Sequence, residues 1–142
     1  MEGAALRSDL AAWADALEGI AAGIAARAPE TVAAYRERLR ASVEELLQGH
    51  MDEARLVQET AIYADRAAID EELVRLKSHI AQLRALIAEE APAGRRLDFL
   101  AQEFNREVNT IASKSQDIEI TRLAMDGKAE IEKLREQVQN VE

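Results

Sequence analysis

A glutamate, an arginine and a histidine share one flank of a predicted helix in the segment Glu71–His79. Leucine and isoleucine take the buried stripe of that helix, so Glu72, Arg75 and His79 lie together on the adjoining flank. An imidazole with an ordinary pKa of about 6.5 suits a general base or a metal ligand. A hydrogen-bonded boundary histidine is the alternative. Glu72 and His79 are seven positions apart, about 10 Å along the axis, which disfavours one ion held directly by both.

A second polar segment lies between Gly94 and Glu119. Helical spacing predicts one stripe of amide and carboxylate side chains, and a neighbouring stripe of charged ones: Asp98, Gln102, Asn105 and Asn109, then Glu103, Arg106, Glu107 and Lys114. Carboxylates and amides are ligands that Mg²⁺ and Mn²⁺ prefer. Four cations could hold phosphates, namely Arg95, Arg96, Arg106 and Lys114. A solvated face with ordinary ion pairs is the alternative interpretation.

Composition excludes several classes of function. The 142 residues contain no cysteine, which rules out disulfides, thiol nucleophiles and zinc–thiolate sites. The net charge of −9 opposes unaided binding of nucleic acid, and aromatic residues are only 4% of the chain. No apolar run approaches the roughly 20 residues that span a bilayer, and no signal segment opens the chain. We therefore expect a soluble cytoplasmic protein with no membrane contact.

Apolar residues at heptad spacing predict helices throughout, and no strand pattern persists. The first seam ends before Pro29, where proline disfavours helical geometry for the preceding residue. A second seam follows directly, from Val32 to Leu46. The short connection predicts an antiparallel hairpin formed by these two helices.

Further breaks divide the rest of the chain. Gly49–Asp52 predicts a helix end followed by an N-cap, with a short helix from about Glu53 to Arg66. Asp70 is a plausible N-cap for the next helix, and Glu89–Gly94 is predicted as a linker. The segment Ser113–Asp117 is compatible with a turn or with a polar section of one long helix.

The predicted fold class is all-α, with antiparallel helical hairpins and long coiled-coil-like helices. We expect a single helical domain over residues 1–142. Within it, residues 1–48 are predicted to form a helical hairpin arm and residues 52–142 a polar-faced bundle.

Six segments of the chain resemble one known family. They are GRRLDF at 94–99, QEFNREVNT at 102–110, SKS at 113–115, REQVQNVE at 135–142, YRERL at 35–39 and EELVRLKSH at 71–79. The first three look like the C-terminal signature of the YicC/YloC-like endoribonucleases, and the fourth is similar to that family's C-terminal end. A full-length member is about twice this length, so the N-terminal half of the family is expected to be missing here.

The resemblance implies a metal-dependent endoribonuclease that acts on single-stranded RNA as a ring-like homo-oligomer, a hexamer in the full-length form. On this hypothesis Glu103 and Glu107, helped by Glu72 or Glu119, hold a divalent metal, Mn²⁺ or Mg²⁺. The predicted catalytic residues are Glu103 and His79, with His79 acting as general base or leaving-group acid. The phosphate-binding side chains are then those named above: Arg95, Arg96, Arg106 and Lys114. If the missing half supplies a catalytic ligand, this chain is expected to be inert alone.

Two other functions remain open from the sequence. The chain could be a non-catalytic helical module for oligomerisation or clamping within a larger RNA-processing assembly, as its apolar seams favour. It could also be an RNA-binding adaptor without catalysis.

Overall fold

The computed structural model of the chain describes residues 2–47, 52–89 and 94–141. These ranges contain five helices: α1 Glu2–Leu47, α2 Glu53–Arg66, α3 Asp70–Ala88, α4 Gly94–Lys114 and α5 Ile118–Val141. They contain no strand, so the predicted all-α fold class is confirmed. None of the described helices is long and apolar enough to cross a membrane.

Four helices form an antiparallel bundle in which the N-terminal part of α1 packs against α3 and α5, and α4 packs between α3 and α5. The predicted apolar seams supply its core. Among the fully buried side chains are Leu10, Leu17, Ile24, Leu76, Leu83, Leu97, Leu100, Phe104, Ile111, Ile120 and Ile131. Removing such surfaces from water stabilises the bundle by about 25 cal/mol per Å².

Helix α1 packs tightly against Leu123 of α5 at Gly23. A Cβ at Gly23 would lie 3.3 Å from Cδ1 of Leu123, whereas a Cβ at Gly19, one turn earlier, would meet nothing within 4 Å. Contacts under about 3.4 Å force the neighbour to move. Glycine at position 23 therefore sets the spacing of the two helices.

Helix α1 runs without interruption through Pro29, so the predicted helix break and hairpin at this proline are wrong. Proline inside a helix lacks an N–H donor and costs about 3 kcal/mol. Hydrogen bonds lie on both sides of it. The Arg27 guanidinium donates to both carboxylate oxygens of Asp117 at 3.0 Å, and the Thr31 hydroxyl donates to the Ala28 carbonyl at 2.7 Å.

The hairpin forms later in the chain, where α2 runs back along the C-terminal part of α1. Arg40 Nη1 lies 2.8 Å from Glu53 Oε1, and the rings of Tyr35 and Tyr63 stack with centroids 3.9 Å apart. We call residues 32–66 the arm. Its connection, which includes the predicted break at Gly49, falls at 48–51, outside the described residues. Residues 1–48 therefore do not form a separate hairpin arm.

Helix α2 has the predicted bounds, and the Asp52 carboxylate caps it by accepting from the backbone N–H of Arg55 at 3.3 Å. The N-cap of helix α3 lies one position earlier than predicted. The helix begins at Asp70, and the N-cap is Ile69, which makes no side-chain cap. The predicted Asp70 cap is therefore wrong, because the aspartate already lies in the first helical turn.

The segment Ser113–Asp117 is a turn, since α4 ends at Lys114 and α5 begins at Ile118. Asp117 Oδ2 accepts from the backbone N–H of Ile120 at 3.1 Å and caps α5. This turn makes α4 and α5 an antiparallel hairpin. The other predicted linker, 89–94, lies mostly at 90–93, outside the described residues.

Candidate functional site

A line of ionisable side chains follows the contact between α3 and α4. From one end to the other it pairs Glu72 with Lys114, Arg75 with Glu107, and His79 with Glu103. We call these six residues the ionic ladder. Its α3 members are the flank that the sequence predicted. Its α4 members face them because the two helices are antiparallel.

Two of the three pairs, or rungs, of the ladder each contain a buried carboxylate that accepts a hydrogen bond from a cation. Glu72 is 3% exposed, and its Oε1 accepts from Lys114 Nζ at 2.7 Å. Glu107 is 2% exposed and accepts from Arg75 Nε at 3.0 Å. Burial alone would raise the pKa of Glu72, but the Lys114 hydrogen bond and the nearby Arg75 outweigh burial and leave that pKa below its ordinary value.

The third rung carries the group best suited to proton transfer. His79 Nδ1 lies 2.5 Å from the carbonyl oxygen of Arg75, so Nδ1 must donate and carries the hydrogen. The other nitrogen, Nε2, then faces Glu103 Oε2 at 3.7 Å. Burial lowers the pKa of His79, although the Glu103 charge works against this. A neutral imidazole near pH 7 therefore presents its lone pair at Nε2.

The ring of His79 is also fixed by packing. It meets the ring of Phe104 edge-on, with centroids 6.1 Å apart and an interplanar angle of 64°. Phe104 is fully buried in the bundle core. The imidazole is thus held by the α3 backbone on one side and by the α4 core on the other, which fixes the direction of Nε2.

The four predicted metal ligands are not brought together. Glu119 lies in the first turn of α5, exposed and 2.8 Å from Arg122, in a cavity with Arg27 and Asp117. Across the described ranges, no three histidine, aspartate or glutamate side chains form a group that could hold a metal ion. Two of the remaining carboxylates, Glu72 and Glu107, are already neutralised by cations of the chain.

One buried oxygen of the ladder lacks a partner. Glu72 Oε2 makes no hydrogen bond. A single free oxygen does not make a metal site, so the described residues do not fit the predicted four-carboxylate set. Dependence on Mn²⁺ or Mg²⁺ stays a prediction.

The predicted phosphate-binding cations fall into two groups. Arg106 lies beside the third rung, 3.8 Å from Glu103 Oε2, and is mostly exposed, while Lys114 closes the first rung. Arg95 and Arg96 lie in the first turn of α4, with Arg96 3.5 Å from Glu89. The second group is thus about 10 Å from Glu103 along the helix.

The predicted polar stripe lies on a different side of α4 from the ladder. Gln102 donates to Asp98 at 3.1 Å, and Asp98 lies 3.5 Å from Arg135 of α5. Asn105 is half-buried and Asn109 exposed, with no side-chain hydrogen bond to either within the parts of the chain that the structure describes. The two stripes were expected to be neighbours. The charged stripe contacts α3 through Glu103 and Glu107, and the polar stripe contacts α5 through Asp98.

A second polar region, where the arm leaves the bundle, was not found from the sequence as a candidate site. Two cavities of about 260 Å³ each lie there and share Tyr63 and Gln116. Tyr35 had been assigned to an apolar seam, and Tyr63 to no motif. One signal in the sequence could have indicated this region. Both tyrosines of the chain lie on predicted helices, one before and one after the Gly49 break.

Comparison with known proteins identifies the family. Residues 24–142 match the family described as "Endoribonuclease YicC-like, C-terminal". A Clostridioides difficile (strain 630) protein named "Probable endoribonuclease YicC" is 49% identical over 143 residues, covering 99% of this chain and 49% of that protein. A Haemophilus influenzae protein of the same name is 41% identical over 114 residues, 80% of this chain and 39% of that protein.

The chain spans about half the length, or less, of these curated relatives. The matched region contains the whole ionic ladder and all the signature segments that suggested the resemblance. The chain therefore belongs to the YicC-like endoribonuclease family and corresponds to its C-terminal part.

Proposed function

We propose that this chain is the C-terminal part of an endoribonuclease that cleaves single-stranded RNA, with His79 and Glu103 as its acid–base pair. The observation that carries the proposal is the fixed direction of His79 Nε2 beside a carboxylate. The family membership supports RNA as the substrate, because both relatives are named as endoribonucleases.

In the proposed reaction, Nε2 of His79 accepts a proton from the attacking hydroxyl, either of water or of a ribose 2′-OH. The attacking oxygen bonds to phosphorus as the bond to the leaving oxygen breaks. The imidazolium formed is stabilised by Glu103, 3.7 Å away. The leaving oxygen takes a proton from solvent water, and the hydroxide left behind takes the proton from the imidazolium. Arg106, beside Glu103, is placed to hold a phosphate oxygen of the strand.

The other rungs have a positioning role in this proposal. The Arg75 carbonyl holds the His79 ring, while the Arg75 guanidinium is bonded to Glu107 across the helix contact. The Glu72–Lys114 rung fixes the same two helices two turns away. None of these steps is assigned to a metal ion, and the assay below tests whether Mn²⁺ or Mg²⁺ is needed.

The test is cleavage of an unstructured, end-labelled RNA by this chain with Mn²⁺ or Mg²⁺ and with a chelator. Glu103→Gln and His79→Gln should each abolish cuts. Glu130→Gln is the matched control, because Glu130 has a similar side-chain exposure, 25% against 22%, and a cation three residues later at 3.4 Å. Cleavage at the wild-type rate by both ladder variants would overturn the site.

The same assay is repeated with the part of the Clostridioides difficile relative that lies outside the matched region. Cuts only in its presence would indicate a composite site. In that case the variants are compared in the mixture.

A non-catalytic helical module for homo-oligomerisation or clamping is the second candidate function. The observation that favours it is the exposed apolar surface of the arm, where Leu46 is 80% exposed, Val57 55% and Ile62 41%. Light scattering tests it. A monomer over the whole concentration range, without affinity for the rest of the relative, would contradict it.

A further inference from the structure

The elbow, where the arm meets the bundle, has the composition of a nucleotide-binding surface. We define it by Tyr35, Arg38, Tyr63, Arg66 and Lys114. One of its two cavities is lined by Arg38 and Tyr63, and the other by Tyr35, Tyr63, Arg66 and Lys114. Carboxylates line them too: Asp117, paired with Arg27, and Glu119, paired with Arg122, in the first, and Glu59 in the second. Each cavity, at about 260 Å³, lies near the lower end of the range for small-molecule sites.

The elbow contains both tyrosines of a chain in which aromatic residues are only 4%. Both tyrosines stack there with their rings nearly parallel, at an interplanar angle of 3°. Each ring uses one face for its partner, and both are only half-buried. Where the rings line the cavities, their remaining surfaces can stack against a base, which is how proteins bind single strands without reading sequence.

The arm also holds most of the arginines that lack an acidic partner. Among the residues whose side chains are described, Arg36, Arg38, Arg55 and Arg66 make no salt bridge, whereas most bundle arginines are paired. In a chain with a net charge of −9, carboxylates are in excess, so unpaired arginines are not explained by a shortage of partners. Two of the four line the elbow cavities, one in each.

The elbow is joined to the ionic ladder through Lys114. This side chain lines the second cavity, and its ammonium bonds Glu72 Oε1 at 2.7 Å and the Ala68 carbonyl at 3.3 Å. From Glu72 to His79 the distance along α3 is about 10 Å. A strand with a phosphate at Lys114 can therefore continue along the ladder to the acid–base pair within a few nucleotides.

We infer that the elbow binds a nucleotide of the RNA strand that flanks the cleaved bond, stacking its base on Tyr63 and holding its phosphates with Arg38 and Arg66. This inference rests on the proposed function for the identity of the ligand. It adds a binding surface outside the ladder, which explains how an acidic chain can hold a polyanion. The contact is local, through one aromatic pair and a few unpaired cations.

The binding test uses this chain and a fluorescein-labelled oligouridylate in chelator, with fluorescence anisotropy as the readout. Tyr63→Leu should weaken binding about five- to tenfold, and Tyr63→Phe should retain it, since the ring is kept. The double variant Arg38→Gln/Arg66→Gln should weaken binding and reduce the slope of log Kd against log salt by about 1.4, for two single-strand phosphate contacts. Lys133→Gln, an exposed cation of α5, is the control.

A second measurement needs no variant and so does not depend on folding of the mutants. RNA containing 5-iodouridine is irradiated on the wild-type chain, and the crosslinked peptide is mapped by mass spectrometry. Crosslinks at Tyr63 or Tyr35 support the inference. RNA binding that is unchanged by both elbow variants, with crosslinks elsewhere, overturns it.

The two proposals fail separately. Binding lost in the elbow variants, with no cleavage under any condition, would support the elbow and contradict the acid–base pair. In the opposite outcome, Glu103→Gln abolishes cleavage while the elbow variants bind and cut RNA as the wild type does. That outcome would support the acid–base pair and contradict the elbow. A wild-type chain that binds no RNA overturns the elbow inference.

Discussion

The two halves of α1 have similar apolar seams but different surroundings. In the bundle, Leu10, Leu17 and Ile24 are at most 2% exposed, because α3 and α5 both cover them. In the arm, Leu39 and Val43 are only half-buried, because α2 is the one helix packed there in the described part of the chain. A heptad seam thus predicts a helix, whereas the number of partner helices decides its burial.

The difference has a functional counterpart. The bundle holds the ionic ladder, whose proposed chemistry needs fixed distances. The arm has few buried apolar contacts, and Leu56 is the one buried side chain of α2, all of which is described. Such regions open locally at lower free energy than a core. The rigid region is thus suited to proton transfer and the looser one to accommodating a strand.

The largest expected effect comes from equal truncations in the two regions. Leu83→Ala in the bundle, at 0% exposed, should lower the free energy of unfolding by about 2–5 kcal/mol. Leu56→Ala in the arm, at 4% exposed, should cost less, because two helices can close on the space more easily than four. Urea unfolding followed by circular dichroism measures both. Equal losses would contradict the contrast between arm and bundle.

Removing the proline at the boundary should stabilise the chain. Pro29→Ala restores a backbone N–H donor in mid-helix and should raise the free energy of unfolding, by up to about 3 kcal/mol. Ala33→Pro, on the exposed side of the next turn, is the opposite change and should lower it. Thermal unfolding compares the two variants. A loss of stability in Pro29→Ala would mean that α1 requires the fixed proline φ angle.

Breaking an ion pair in the bundle should lower the free energy of unfolding more than breaking one in the arm. Arg75→Gln leaves Glu107 buried without its cation and should lower the free energy of unfolding, because a buried carboxylate that loses its partner keeps its desolvation penalty. Arg40→Gln in the arm removes a partner from the exposed Glu53 and should lower the free energy of unfolding less, because water solvates the carboxylate that is left. Urea unfolding at low and high salt is the measurement. A larger loss for Arg40→Gln would reverse the assignment of the two regions.

Two glycines of α1 provide a smaller test inside the bundle. Gly19→Ala should stabilise by about 1 kcal/mol, because helix propensity rises and the new methyl meets open space. Gly23→Ala should gain less, because the methyl would press on Leu123 of α5. Chemical denaturation of both variants resolves the difference. A greater gain for Gly23→Ala would show that the contact with α5 is loose.

The smallest expected effect is a pH dependence from His79. Its pKa is lowered in the folded chain, so below about pH 6.5 the unfolded chain binds a proton that the folded chain resists. The stability from this group is therefore present above pH 6.5 and is lost as pH falls through the folded pKa. NMR titration should give a pKa under 6.5, and Glu103→Gln should lower it further. A raised pKa would contradict burial as the dominant cause.

The helices were predicted correctly where the local sequence pattern and the packing of the folded chain favour the same structure. Apolar spacing and the Asp52 cap predicted α2 with its observed bounds. At Pro29 the local rule failed, and the long-range contact beside the proline, from Arg27 to Asp117, depends on where the α4–α5 turn lies. That position is a property of the assembled bundle, which no local pattern contains.

The sequence predicted the two sides of the candidate site separately, but not the contact between them. Spacing placed Glu72, Arg75 and His79 on one flank of α3, and Glu103 with Glu107 on one stripe of α4. That these stripes meet depends on the antiparallel register of the two helices, which spacing does not determine. The elbow was missed for the same reason, because Tyr35 and Tyr63 meet only after the arm folds back.

The unbroken α1 has the geometry of a lever. Its 46 residues span about 69 Å, and the Arg27–Asp117 clamp provides a fulcrum inside that length. From Arg27 to Leu47 the free limb measures about 30 Å, so a tilt of about 10° at the clamp displaces the tip by about 5 Å. Because Asp117 also caps α5, any such tilt loads the first turn of that helix. Movement of the arm and the seating of α5 are thereby coupled through one carboxylate.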